Sequence, residues 1–425
     1  MNFDRRDFLA GSTALGSGMF FGCSAADSKT PEVAALRAED ASFETARAAF
    51  PWSVKQVYLN NAGRHPCGIH AVNAAREYLE FILGGPGDGA NFGEKQFHEV
   101  KELYGQLIGA KASEIALTQS TLIGENLVAL GLGLHNVGSK GGKGNVVVDE
   151  LHYHGGSYIY RRLQDAGLEL RIIKQKDWQV GPEEYEKVID KDTKLVSLTL
   201  VSNINGFHYD SKAISNIAHA HGAYVYADIV QAAGCVPVDM RAMGIDFCSA
   251  STYKWLMGMR GLGLFYVREE LQGEVLKPMM YGDKQYANFE FHYFPGSPAG
   301  DEPISYRTRE GAEMYEVGNV SNIAGAAQRE ALKYILKLGV DNILAHAKPM
   351  CDKLIAELPK LGYPCITPPG SPTPITAFLV DDPEGSSAKL KSANVVAKIK
   401  WKQMRVSPTV FNTMDDVDQL LNALS

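Results

Sequence analysis

Lys254 sits in "STYKWLMGMRGLG", between a stretch of small residues and an apolar, glycine-rich one, where the pattern reads as buried chain. A lysine taken out of water loses its preference for the charged form, and the free amine is a nucleophile toward carbonyl groups. Ser251 and Tyr253 place hydroxyls beside it, and Gly258, Gly261 and Gly263 permit close backbone approach. Three other positions have chemistry that fits such an amine. Asp228 ends the alternating run "VYADIVQAAG", and a carboxylate at the C-terminal end of a strand can hold a proton on a heterocyclic nitrogen. Ser120 and Thr121, in "IALTQSTLIGENLVAL", open a helical pattern behind a strand ending at Thr118, and hydroxyls with free amides at a helix N-terminus make an anion site. Arg405 leads a short strand in "MRVSPTVFNTMDDVDQLLNAL", where a guanidinium can grip a carboxylate in two-pronged fashion. Taken singly, each has an ordinary structural reading: a lysine snorkelling from a strand end, an aspartate or Ser/Thr helix cap, a surface arginine.

The elements that must position these residues alternate in type. "GNVVVDE" (144–150), "KLVSLTLVS" (194–202), "AYVYADIV" (223–230) and "GLGLFYV" (261–267) read as strands, with helical patterns such as "SKAISNIAHAHG" (211–222) between them. This alternation predicts an α/β fold with a mainly parallel sheet covered on both faces. Residues 27–55 read as a linker leading to an amphipathic helix, 56–320 as the large domain and 321–425 as a smaller C-terminal α/β domain that opens on a long helix at about 321–337. Asn412 and Thr413 cap its final helix. Residues 281–311, rich in Gly, Pro and aromatics, read as a long functional loop. With Arg307 and Arg309 it suits either a bulky anionic substrate or a dimer contact.

The 425 residues are 45% hydrophobic and 21% charged with a formal net charge of −7, which is ordinary globular composition. There is no long basic run, so nucleic acid is not an expected partner, and no apolar stretch suits a transmembrane helix in the mature chain. The six cysteines (Cys23, Cys67, Cys235, Cys248, Cys351 and Cys365) form no CxxC pair, so no metal site is expected. "MNFDRRDFLAGSTALGSGMFFGC" pairs Arg5 and Arg6 ahead of Phe8, Leu9 and a mild apolar segment. This is the pattern of a twin-arginine export signal over 1–26, cleaved near Ala25 or Ala26, and it predicts a periplasmic protein. Lipid attachment at Cys23 is the lesser alternative, because the residues before it make a poor lipobox.

Eight segments, in order from about Tyr58 to Leu424, carry a resemblance: "YLNNAGRHP", "TQSTLIGENLV", "DELHYHGGSYIY", "VSNINGF", "ADIVQAAG", "STYKW", "EVGNVSN" and "RVSPTVFNT". Together they resemble the class V aminotransferase family of fold-type I pyridoxal-phosphate enzymes, including the 26-position step from Asp228 to Lys254. The resemblance implies pyridoxal 5'-phosphate as cofactor, carried as a Schiff base on Lys254, which also acts as base and acid at the substrate Cα. It implies Asp228 on the pyridine nitrogen, and Gln231 with Asn203 on the phenolic oxygen. Ser120, Thr121 and Ser251 fall on the phosphate, and Tyr153 stacks on the ring, with His154 as its alternative. Arg405 falls on the substrate α-carboxylate, joined at the substrate by Asn61 and His65 of the first segment. Asn319 stands where the family usually has a threonine that reaches the phosphate of a neighbouring subunit, which implies a homodimer with shared active sites. Tyr253, beside the cofactor, replaces the commoner histidine, as in the kynureninase-like and isopenicillin-N-epimerase-like branches.

Desulfurases of this family carry a nucleophilic cysteine shortly before the Arg405 strand. Here "SSAKLKSANVVAKIKWKQM" has none. The expected activity is transamination of an amino acid or an amino-acyl group of a peptide bearing a carboxylate. Epimerisation or β/C–S lysis is the alternative within the family. A non-catalytic ligand-binding protein is the alternative outside it.

Overall fold

Short apolar runs cannot bury both faces alone, and in the computed structural model they assemble side by side into one sheet. The structure describes residues 36–84, 90–137, 143–289 and 306–425. The export signal, its cleavage site and Cys23 lie outside the described residues.

The sheet has seven strands: β1 (Ile115–Thr118), β2 (Asn145–Asp149), β3 (Glu169–Ile173), β4 (Thr193–Thr199), β5 (Tyr224–Asp228), β6 (Phe247–Ser251) and β7 (Gly263–Val267). Their order is β1-β7-β6-β5-β4-β2-β3. Strands β3, β2, β4, β5 and β6 run parallel, and β7 is antiparallel to both β6 and β1. The four strands read in the sequence recur with ends shifted by up to three residues, and the strand ending at Thr118 recurs as well. Strands β3 and β6 were not legible. β6 reads Phe-Cys-Ser-Ala-Ser and contains no β-branched residue, so its extended state comes from the ladders offered by β5 and β7 rather than from its own preference.

Around the sheet lie α1 (Ile69–Leu83), α2 (Ala90–Ile108), α3 (Thr121–Gly131), α4 (His154–Asp165) and α5 (Ser211–Ala220). The long helix α6 (Asn322–Leu338) packs against α1 and α2, so it joins the layer beside the large sheet. The C-terminal region builds a three-stranded antiparallel sheet from β8 (Thr376–Leu379), β9 (Lys398–Lys400) and β10 (Gln403–Val406), in the order β8-β10-β9. Helices α7 (Val340–Glu357), α8 (Pro383–Ser392) and α9 (Met414–Leu424) bury Met350, Leu354, Leu390, Val417 and Leu420 against Phe378, Met404 and Val406.

Three local readings change. Arg405 lies inside β10 rather than leading it. Among its described residues the N-terminal segment forms the short helical turns Ala38–Asp40, Ala46–Ala49 and Pro51–Val54 in place of one amphipathic helix. The stretch read as a 281–311 loop contains a two-stranded hairpin, Tyr286–Phe289 with Tyr306–Thr308, and its residues 290–305 lie outside the described residues. Within it Arg309 is engaged by Glu313 at 3.0 Å.

Candidate active site

Strand register brings the phosphate-site candidates together. Gly263 pairs with Thr118 on one side and Ser251 on the other. A Cβ at 263 would lie 2.8 Å from Thr118 Oγ1 and 2.9 Å from Ser120 backbone, so only glycine lets the β1–α3 turn close over β7. Thr121 N–H donates to Ser251 Oγ at 2.9 Å, the two hydroxyls are 2.9 Å apart, and Ser251 N–H donates to Thr121 Oγ1 at 2.8 Å. Ser120 is the N-cap of the eleven-residue α3, and its own side chain makes no cap bond. The result is a helix N-terminus with hydroxyls and free amides, the electrostatic setting for an anion.

Parallel pairing sets the next position. Asp228 is the last residue of β5, at the C-terminal edge where open α/β sheets bind ligands, and it pairs with Thr199 of β4 and Ser249 of β6. Its Oδ1 accepts from Val230 N–H at 2.9 Å, the one hydrogen bond to its carboxylate among the described residues. Burial raises its pKa, and the charges of Lys254 and His152 oppose that rise.

Lys254 follows β6 and is 9% exposed. Among the described residues its ammonium has no hydrogen-bond or ion-pair partner. It lies 5.9 Å from the ring centroids of both Tyr153 and Tyr253. Burial lowers its pKa to about 8, with Arg405 and Lys398 pushing the same way and Asp228 pushing back. That answers why a lysine sits in buried chain: burial brings its amine far closer to neutrality than a solvated lysine, so a usable nucleophilic fraction exists near neutral pH.

Tyr153 precedes α4, and its carbonyl accepts from His152 Nδ1 at 3.0 Å. His152 Nε2 is 3.0 Å from Ser197 Oγ, which is 3.1 Å from Glu125 Oε1. This buried Glu125–Ser197–His152 chain fixes the backbone that carries Tyr153. Sequence reading missed it, because Glu125 sits on a helix face that gives no signal until α3 packs on the sheet. Burial raises the Glu125 pKa, which suits a carboxyl that shares a proton with Ser197. His154, the alternative to Tyr153, opens α4 and also lines the substrate-side cleft.

Arg405 is 4% exposed. Its Nη1 donates to the Asn203 carbonyl at 2.6 Å, while its Nε and the Asn203 side-chain Oδ1 are buried without partners. Burial lowers its pKa to about 10, so it stays a cation at neutral pH. A cleft of about 210 Å³ opens over it, lined among others by His154, Asn203, Lys398, Lys400 and Trp401. A buried guanidinium with an unpartnered Nε at a cleft is placed to grip a carboxylate.

The first segment ties this strand to the lysine. Ala62 N–H donates to Ser407 Oγ at 3.0 Å, Gln231 Nε2 to the Ala62 carbonyl at 2.9 Å, and Trp255 Nε1 to Gln231 Oε1 at 2.9 Å. The chain thus runs from two residues beyond Arg405 to the residue after Lys254. Gln231 keeps one N–H beyond these bonds. Asn61 donates to the Ser407 carbonyl at 2.7 Å, and its buried Oδ1 is unpartnered. His65 is 1% exposed, with Nδ1 at 2.7 Å from the Pro66 carbonyl and Nε2 at 3.0 Å from Thr409 Oγ1. Both ring nitrogens are taken up by the protein, so His65 as placed braces two loops and offers no group to a substrate. Asn319 is exposed in the irregular segment before α6 and makes no hydrogen bond or ion pair with other described residues.

The residues present fit pyridoxal phosphate: an anion cradle, a buried carboxylate for a protonated ring nitrogen, a buried amine that feels that carboxylate's charge, and aromatic faces beside that amine. The comparisons agree. The profile described as aminotransferase class-V matches residues 57–420, and the chain belongs to that family. A probable cysteine desulfurase of Methanothermobacter thermautotrophicus is 29% identical over 80% of this chain and 82% of that protein. An uncharacterized aminotransferase of Bacillus subtilis is 24% identical over 90% and 97%. Among solved structures, an apo cysteine desulfurase from Thermococcus onnurineus superposes with a TM-score of 0.77 at 24% identity, covering 89% of this chain and 96% of that one. A complex of a cystine C–S lyase with cysteine persulfide superposes at 0.76 and 19% identity, covering 88% and 98%. The fold is the fold-type I α/β transferase fold, and the protein is a pyridoxal-phosphate-dependent class V enzyme.

Proposed function

We propose that the protein is an aminotransferase that takes its amino group from an amino acid or an amino-acyl residue of a peptide. The observation that carries the reading is Lys254, a buried amine without an ion partner, set between Asp228 and Arg405. The bound cofactor supplies an electron sink for the charge left on the substrate Cα. Lys254 anchors the cofactor and moves the proton at Cα through Nζ. Asp228 holds positive charge on the ring nitrogen. Ser120, Thr121 and Ser251 with the α3 amides hold the phosphate, and Tyr153 covers the ring. Asn203 and the remaining N–H of Gln231 face its oxygen, and Arg405 orients the substrate carboxylate.

One relative named above is a probable cysteine desulfurase, and two structural neighbours are a cysteine desulfurase and a cystine C–S lyase, so carbon–sulfur cleavage is the second reading. A persulfide route lacks its thiol among the described residues. Cys67 Sγ is directed at the Gly258 carbonyl and Cys365 Sγ at the Thr367 carbonyl, and burial raises both thiol pKa values. The deciding experiment offers the holoenzyme a panel of amino acids with a 2-oxo acid acceptor. Transamination yields the donor's 2-oxo acid in step with the acceptor's amino acid. β-Lysis of cysteine yields sulfide, ammonia and pyruvate together with no dependence on the acceptor, and epimerisation run in heavy water brings solvent deuterium to Cα with inversion. Turnover that survives Lys254→Ala would remove Lys254 from the chemistry, and a native holoenzyme that turns over none of the panel while still binding it would favour a binding protein.

Export and assembly belong to the same proposal. The Arg5-Arg6 leader directs the folded, cofactor-loaded chain to the periplasm. Arg5→Lys with Arg6→Lys should retain it in the cytoplasm, and a periplasmic double variant would end that reading. The exposed position of Asn319 suits a contact with the cofactor phosphate of a second copy. Sedimentation showing only monomers at working concentration would exclude it.

A further inference from the structure

The hairpin that carries Arg405 holds more positive charge than one carboxylate requires. Lys398 of β9 is the direct cross-strand partner of Arg405 on β10, and Lys400 follows two residues on, on the same face. Like charges directly opposite one another in an antiparallel pair destabilise it. No acid compensates them here. Among the described residues Lys398 makes no ion pair or side-chain hydrogen bond, and the charged groups that act on it are Arg405 and Lys400. Lys400 has a partner of its own, lying 4.3 Å from the centroid of the Trp401 ring. The carboxylate on the cleft wall, Glu150, is already engaged by Lys174 at 2.6 Å and by Gln175 N–H at 3.1 Å. Once an α-carboxylate satisfies Arg405, a half-buried, unpaired ammonium still faces the same cleft.

We propose that Lys398 is the recognition group for a second carboxylate on the substrate, so that the site selects amino donors with an acidic group besides the one held by Arg405. This rests on the reading of Arg405 as the substrate-carboxylate site. The fitting class is an acidic amino acid, free or as the acidic residue of a peptide. Trp401, 78% exposed at the hairpin tip, is placed at the rim where the rest of a larger substrate would pass.

Two readouts on the holoenzyme test the proposal. Calorimetry compares glutarate and succinate with butyrate, which tests the subsite whatever reaction follows. Turnover compares glutamate and aspartate with glutamine and asparagine. The expected result is a preference of about tenfold or more for the dicarboxylates, the factor that about 1.4 kcal/mol of charge-assisted contact gives. Lys398→Gln removes that preference and leaves butyrate binding within about twofold, and Lys398→Arg restores most of it. The variants should keep the cofactor absorbance, since Lys398 is half-exposed and outside the cofactor cradle. Three outcomes overturn the proposal: no dicarboxylate preference in the native protein, a preference that persists in Lys398→Gln, or equal weakening of mono- and dicarboxylates, which would put Lys398 on the α-carboxylate. If no amino acid turns over while glutarate still binds through Lys398, the aminotransferase reading fails and the subsite stands.

Discussion

Replacing Arg405 with methionine should move affinity and stability in different directions. In the protein alone the guanidinium is buried, with one short bond to the Asn203 carbonyl and an unsatisfied Nε. Its nearest charged neighbours include Lys398 and Lys254, both cations. Such a group costs the fold something, because a buried charge is repaid only by a partner. Methionine keeps much of the stem's packing and removes the charge. What is lost is the charge-assisted bond to the Asn203 carbonyl, about 2 kcal/mol, and what is relieved is like-charge repulsion and desolvation of similar size. The thermal midpoint should therefore stay within about 3 °C of the native value, or rise. Carboxylate binding should collapse. Removing one partner of a buried, hydrogen-bonded charge pair costs about 2–5 kcal/mol, a factor of roughly 30 to 5,000 in Kd. The assay is calorimetric binding of butyrate to the holoenzyme, with differential scanning calorimetry on the same samples. A midpoint lowered by about 8 °C or more with an unchanged Kd would refute the reasoning, because it would make Arg405 a structural cation.

Four further outcomes follow from the same geometry. Because burial holds the Lys254 pKa near 8 against an ordinary 10.5, its reactive fraction grows with pH up to that point. Stripped protein should recapture added cofactor about tenfold faster per pH unit below 8 and level off above, while a midpoint beyond 10 would show a solvated lysine. The sign for stability agrees: the unfolded chain binds the extra proton between about pH 8 and 10.5, so this group's contribution to stability rises with pH across that window, and Lys254→Met removes that slope. Gly263→Ala should displace the β1–α3 turn and weaken cofactor binding by about tenfold or more, read by equilibrium dialysis, since its Cβ meets Thr118 and Ser120 below 3 Å. Glu125→Gln, which keeps a donor toward Ser197, should shift the thermal midpoint by no more than about 2 °C, whereas Glu125→Ala should cost about 2 kcal/mol by opening a cavity and leaving Ser197 and His152 short of a partner.

Much of this was open to the sequence because it is local. Strand β5 announces itself by alternation and delivers Asp228 at its end, and the Ser120-Thr121 pair follows a short apolar run as a helix cap should. Lys254 is conspicuous because its neighbours are small or apolar. β6 was not legible, since Phe-Cys-Ser-Ala-Ser has no β-branched residue and no alternation, and its ladders to β5 and β7 hold it extended. His65 entered as a substrate residue through the family resemblance, and only the packed structure shows its ring nitrogens against Pro66 and Thr409 with Phe411 beside the ring. The signal for Lys398 was present as the alternation Lys398, Lys400, Lys402 ahead of Arg405, but period-two lysines in a strand ordinarily mean a solvated face.

The sequence by itself determined which groups this protein brings to its chemistry: one amine in buried chain, one carboxylate at a strand end, one hydroxylated helix start and one strand-borne arginine. Only the tertiary structure decided their protonation and their company. Desolvation is a property of everything packed around a group, so it took the assembled sheet to lower the pKa of Lys254 and to raise that of Asp228. Cross-strand pairing is likewise invisible until a hairpin closes, and it is the β9–β10 register that sets Lys398 beside Arg405 and leaves the cleft with a charge to fill.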